Sequence, residues 1–157
     1  MGVNMYKKYL TLTVQKGNPL PQVINWYGRL DVRKLNRKDY REIPRRLLLE
    51  MRTGMDAVYP DIIIDPVLMV SEEAMEIISL YDNRMPFIFL ALFDVEKEES
   101  MSYYCPVLAE DNTGQDEVLY KVKHGNGYEI RICEELAESL LSRGAIGLKL
   151  SRKNTAG

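Results

Sequence analysis

Ser71, Cys133 and His124 are the side chains of this sequence whose type and setting first suggest chemistry. Ser71 and Cys133 each stand immediately before a predicted helix, where the helix dipole would lower a thiol pKa. Nucleophilic catalysis would also require an ordered base within hydrogen-bond reach. His124 is the only histidine, and it falls in Lys123-His124-Gly125-Asn126-Gly127, a turn that holds a base poorly. Val70-Ser71-Glu72 lacks the flanking glycines of a nucleophile elbow, and helix capping accounts for Ser71. Cys133 fits a small buried hydrophobe at a strand end. There is no phosphate-cradling glycine loop, no His-x-x-x-His and no paired-cysteine spacing. Neither cofactor nor metal is expected, and a binding protein is favoured over an enzyme.

Carboxylates are plentiful but lie in turns and helix starts. Two groups stand out: Asp94, Glu96, Glu98 and Glu99, and then Glu110, Asp111, Asp116 and Glu117. They flank one strand-like run, Met101–Leu108, so a fold could bring them to a shared face. They belong to a pronounced charge segregation beneath a net charge of only −2. Residues 1–54 carry 12 Lys/Arg against 4 Asp/Glu, residues 55–120 carry 2 against 15, and residues 121–157 carry 7 against 4. Either the opposed segments lie side by side and neutralise, or a one-signed face steers a charged macromolecule. The basic segment 29–52 interleaves arginines and lysines with Tyr40 and follows Trp26 and Tyr27. That composition can grip single-stranded nucleic acid through phosphate contacts and stacking. No nucleic-acid module motif accompanies it, and a solvated face opposite an acidic one explains it as well.

The elements that must position these residues are organised around Pro60–Asp94, read as strand, helix, strand. Ile62-Ile63-Ile64 suits a strand covered on both faces. Ser71 is placed as an N-cap, and Ala74, Ile77, Ile78 and Tyr81 follow at i, i+3, i+4 and i+7, predicting a helix over 71–81. Pro86 keeps that helix ended, and Phe87–Phe93 is an unbroken apolar run that reads as a central strand. Earlier, Tyr9–Val14 alternates as a strand does, 16–21 is a loop, and Val23–Leu30 is a short strand or packed loop. Leu47–Met51 fits a short helix or a buried strand, and periodicity does not separate them. Later, Pro106 confines Met101–Leu108 to an edge or a strand end. Val118–Val122 and Tyr128–Ile132 alternate around a Gly/Asn turn, the signature of a hairpin. A second helix is predicted over 134–143, with Leu136, Ala137, Leu140 and Leu141 as its buried stripe, Gly144 in the left-handed conformation after it, and Ala145–Leu150 a last strand.

The expected fold is therefore α+β: a mixed or mostly antiparallel sheet with two main helices, within a single domain over 1–157 whose termini, 1–8 and 151–157, are loose. At 157 residues such a domain buries about two thirds of its unfolded surface. Apolar content of 46% and charged content of 28% match an ordinary globular chain. The first residues lack the apolar core of a signal peptide, and no apolar run approaches membrane-spanning length. Two cysteines, Cys105 and Cys133, form no disulfide framework and are expected to stay reduced, so a cytoplasmic setting without membrane association is expected.

Over roughly Pro60–Leu150 the order of these parts resembles a family of small bacterial immunity proteins of polymorphic toxin systems, whose members are often described only as a domain of unknown function. The resemblance rests on Pro60-Asp61-Ile62-Ile63 leading to Leu68-Met69-Val70-Ser71-Glu72, then a helix and an apolar strand. Tyr103-Tyr104-Cys105-Pro106 follows, then Ile130-Arg131-Ile132-Cys133-Glu134-Glu135-Leu136-Ala137-Glu138, ending Gly144-Ala145-Ile146-Gly147-Leu148. Cys133 stands where the family pattern has Ser or Thr, and residues 1–59 lie outside it. The resemblance implies a non-catalytic protein that binds one cognate toxin domain and blocks it in the cytoplasm of the producing cell. The pattern is structural and assigns no toxin-contacting residues. The two carboxylate groups would suit a basic toxin, such as a nuclease.

Overall fold

The computed structural model describes residues 8–14, 20–26, 28–111 and 116–151. Within them ten strands and two α-helices form an α+β fold. In chain order the strands are β1 (Tyr9–Val14), β2 (Gln22–Val23), β3 (Arg46–Arg52), β4 (Ile62–Ile63), β5 (Met69–Val70), β6 (Phe87–Asp94), β7 (Glu99–Pro106), β8 (Leu119–His124), β9 (Gly127–Cys133) and β10 (Leu148–Ser151). The helices are α1 (Glu72–Tyr81), between β5 and β6, and α2 (Glu134–Ser142), between β9 and β10.

Six strands form one sheet in the order β2-β3-β6-β7-β5-β4, and four form another in the order β10-β1-β9-β8. The apolar run after Pro86 is central, as expected: β6 pairs with β3 on one side and β7 on the other. The undecided run Leu47–Met51 is strand β3, parallel to β6, while the other strand pairings are antiparallel. A parallel neighbour needs a long crossover, and β4, β5 and α1 supply it. The stretch 60–94 thus holds one strand more than its sequence suggested, because Met69–Val70 pairs with both β4 and β7. Pro106 closes β7, where its missing N–H costs no ladder bond.

The larger sheet separates two cores. Alternation along β6 turns Ile88, Leu90 and Leu92 to one face, where they pack with Leu49, Met51, Tyr103 and Cys105 beneath Leu30, Leu35 and Ile43 of the segment between β2 and β3. On the opposite face, Ile62 and Val70 join α1, α2 and the inner side of the smaller sheet. Ser71 caps α1, accepting from the Ala74 amide at 3.2 Å, and α1 and α2 meet through Ala74, Ile77, Leu136 and Leu140. Leu141, expected in the buried stripe of α2, is exposed, because the partner helix covers only the narrower face around Leu136, Ala137 and Leu140. Gly144 ends α2 at φ +82°, as predicted. The N- and C-terminal margins are less loose than expected where described. Lys8 accepts from the Glu134 amide, and Ser151 pairs with Thr11; residues 1–7 and 152–157 lie outside the described residues.

Asp61 is the connector that the sequence did not announce. Its carboxylate accepts from Ser71 Oγ and from the Ile146 amide, both at 2.7 Å, while its main chain pairs with Ile146 and Ser71. One residue thereby fastens the start of α1 to the loop leading into β10.

Candidate functional site

The eight acidic residues do not share a face. The two groups lie beyond opposite ends of β7, an eight-residue strand that spans about 24 Å. Of the second group, Glu117 pairs with Arg37 at 3.2 Å and Glu110 approaches Lys121 at 4.0 Å. Asp111 and Asp116 are exposed, and residues 112–115 between them lie outside the described residues. At this end the Arg37–Glu117 pair joins the basic segment to the acidic one.

Asp94 is not a surface charge. It is 3% exposed and turned into the β6–β7 connection. One carboxylate oxygen accepts from the Thr53 hydroxyl at 2.6 Å and the Thr53 amide at 3.1 Å, the other from the amides of Glu96 and Lys97. A short polar side chain closing its own turn in this way competes well with water. The Thr53 hydroxyl, followed by these amides, holds the Asp94 pKa below its usual value despite the opposing effect of burial. A lowered carboxylate pKa stabilises the fold above the unfolded-state value and loses that contribution as pH falls through the folded-state value. Asp94→Asn is therefore expected to lower Tm at neutral pH, with the gap to the parent closing in acid. A gap of constant size down to acidic pH would show that charge at Asp94 is not what holds the turn.

The remaining members, Glu96, Glu98 and Glu99, project from this fixed turn and are exposed. Glu98 takes φ +55°, a left-handed conformation that the tight four-residue connection requires. Residues 53–59 brace the turn: Lys97 Nζ donates to the Gly54 carbonyl, and Tyr59 donates to Glu99 at 2.9 Å. Three large apolar side chains stand out of this region: Met55 is 96% exposed, Val95 59% and Val58 42%. Sequence reading found the acidic turn but missed Met55, which lies in an irregular segment where no periodicity marks an exposed position.

A second surface is the outer face of β3, β6 and β7. Register places Arg46, Leu48 and Glu50 of β3 beside Phe89, Ala91 and Phe93 of β6, and these beside Tyr104, Ser102 and Ser100 of β7, with the exposed Arg52 at the end of β3. Phe89, Ala91 and Phe93 are partly exposed and Leu48 is 55% exposed, so this half of the sheet face is uncovered. The apolar run had suggested cover on both sides. Trp26 and Tyr40, the aromatics associated with the basic segment, pack against the core instead of lining a basic groove.

The residues weighed for catalysis are not assembled. Ser71 Oγ donates to Asp61 and caps α1, Cys133 is a buried thiol outside any disulfide at the start of α2, and His124 is exposed at the hairpin end. Burial pushes the thiol of Cys105, the other cysteine, up to about 12, which keeps it neutral and unreactive. Among the described residues no group of three or more His, Cys, Asp or Glu is placed to hold a metal ion, and no helix is long and apolar enough to cross a membrane. No protein-family model matches the chain, and no curated protein matches it.

Proposed function

We propose that this is an immunity-type protein that binds a cognate bacterial toxin domain and blocks it without catalysis, in the cytoplasm of the cell that makes the toxin. The observation that carries the reading is the fixed turn presenting Glu96, Glu98 and Glu99 with the exposed Val95, tied through Lys97 and Gly54 to the segment that carries the exposed Met55. Protein interfaces commonly combine an apolar centre with a charged rim. Here the rim is acidic, so the complementary partner is basic, in keeping with a nuclease-like toxin. Because Asp94 and Thr53 fix the turn beforehand, little ordering is needed on binding. Charge of this kind raises the association rate and selects the partner more than it raises affinity. The resemblance over 60–150 points the same way.

The triple variant Glu96→Lys, Glu98→Lys, Glu99→Lys tests this against the basic toxin domain that the proposal expects in the upstream reading frame. Association should slow by about tenfold or more at low ionic strength, and the loss should shrink as salt screens the field. Urea unfolding should stay close to the parent's, since exposed charges add little stability. If the reversed protein protects cells as fully as the parent, the acidic turn is not the contact surface.

A second reading as a nucleic-acid-binding or regulatory module is favoured by the open sheet face. Arg46, within the basic segment 29–52, stands beside Phe89 there, and Arg52 of the same segment lies two residues beyond Glu50, the neighbour of Phe93. Bases could stack on the rings while the guanidiniums meet phosphates. Salt-sensitive binding of a single-stranded oligonucleotide that is lost in Phe93→Ala would support this reading over the first.

A further inference from the structure

Where the two cores meet, a cleft of about 350 Å³ opens between the β8–β9 hairpin, the β4–β5 loop and the segment that covers the larger sheet. Its wall is apolar: Trp26, Leu35, Val67, Leu108 and Ile130 contribute, with Tyr128 at the lip and Cys105 behind. One charged group enters it, Lys121. The hairpin register puts Lys121 directly across from Ile130, on the side that faces the core.

The Lys121 side chain is only 15% exposed. Its ammonium donates to the Leu35 carbonyl at 2.9 Å and lies 4.7 Å from the centre of the Tyr128 ring. Among the described residues no carboxylate comes nearer than Glu110, whose oxygen is 4.0 Å away and whose side chain is itself half exposed. A charge-assisted bond closes to about 2.7–2.9 Å, so Glu110 stands off from a full contact. Lysine is seldom this buried without close pairing. Burial depresses the Lys121 pKa, and the Glu110 carboxylate only partly offsets it. An ammonium at the wall of an apolar cleft, under-compensated by its neighbours, is the polar anchor typical of a small-molecule site, and the volume lies at the lower end of such sites, roughly 300–1,000 Å³.

We infer that this cleft binds a small amphipathic anion, its carboxylate on the Lys121 ammonium and its apolar body against Trp26, Leu108 and Tyr128. At about 30 Å³ for each water-sized group, the space accepts roughly ten to a dozen heavy atoms, the size of a medium-chain or aromatic carboxylic acid. The competing view is that Lys121 is only a brace, tying the hairpin to the Leu35 carbonyl. A brace has no preference for anionic guests.

Fluorescence titration of the full chain with naphthoate, an aromatic carboxylate of about that size, separates the two. The expected result is one saturable site per chain, displaced by decanoate at least about tenfold more effectively than by decanol, because only the former supplies a counterion. Lys121→Met keeps the apolar stem and removes the charge; it should weaken binding of the probe about tenfold or more, and Lys121→Arg should retain most of it. Should Lys121→Met fail to fold, Tyr128→Ala at the exposed lip serves instead and should also weaken the probe, with an unchanged circular dichroism spectrum. Absence of a saturable site, equal competition by decanol, or undiminished binding in the substituted proteins would overturn the assignment.

Discussion

Ile88→Asp is expected to leave the protein unfolded or nearly so under conditions where the parent is fully native. Ile88 is 2% exposed on the inner face of β6, opposite Cys105. Its neighbours on that face, Leu90 and Leu92, are fully buried. Losing a buried isoleucine costs roughly 2–5 kcal/mol in the cavity series. A carboxylate without a partner adds several kcal/mol, or must be neutralised by protonation at comparable cost. Domains of this size are stable by only about 5–15 kcal/mol, so one substitution removes most or all of that margin. Phe89→Ser is the matched control. It lies one residue along on the open face, beside Arg46 and Tyr104, where water already reaches the ring. Its penalty should be clearly smaller in urea unfolding followed by circular dichroism. Equal midpoints for the two variants would mean that β6 does not divide a buried face from an open one.

That division is also where sequence reading reached its limit. The seven apolar residues 87–93 identify a strand, and Pro86 fixes its start, but an unbroken run cannot reveal that every second side chain is half open. The information lies in what covers the sheet, and the segment between β2 and β3 covers one face only. The helices were legible because capping and a 3.6-residue period are local: Ser71, Ala74, Ile77 and Ile78 suffice. Met69–Val70 was not, since two residues carry no period and become a strand only through partners in β4 and β7. The acidic residues showed the same contrast between local and distant information. Their types marked exposed turns, yet only the length of β7 shows that they cannot meet, and only Thr53, 41 residues away, explains why Asp94 is buried. Lys121 could have been found. A Gly125-Asn126 turn of two residues pairs His124 with Gly127, and counting back along the hairpin sets Lys121 against Ile130 on the apolar side.

Gly147→Ala is expected to lower stability by about 3 kcal/mol, far more than the same change at Gly144. Both glycines take left-handed φ, +82° at Gly144 and +92° at Gly147. An alanine in that region costs roughly 1–2 kcal/mol relative to glycine from backbone strain alone. At Gly144 nothing lies within 4 Å of the added methyl, so that cost is the whole effect. At Gly147 the methyl would overlap Cβ of Pro60 and stand 3.3 Å from the Ile62 carbonyl oxygen. Neither obstacle yields easily. Pro60 is a rigid ring whose carbonyl accepts from the buried Tyr103 hydroxyl at 2.8 Å, and Ile62 is held in β4. Moving the loop instead would pull Ile146 from Asp61, which bonds it through both main chain and carboxylate and also anchors Ser71 at the head of α1. Overpacking of this sort adds about 1–3 kcal/mol. For a domain of this size the Gly147 variant should melt roughly 10 °C below the parent and the Gly144 variant only a few degrees below it. If the two melt together, the close approach of Gly147 to Pro60 does not constrain the fold.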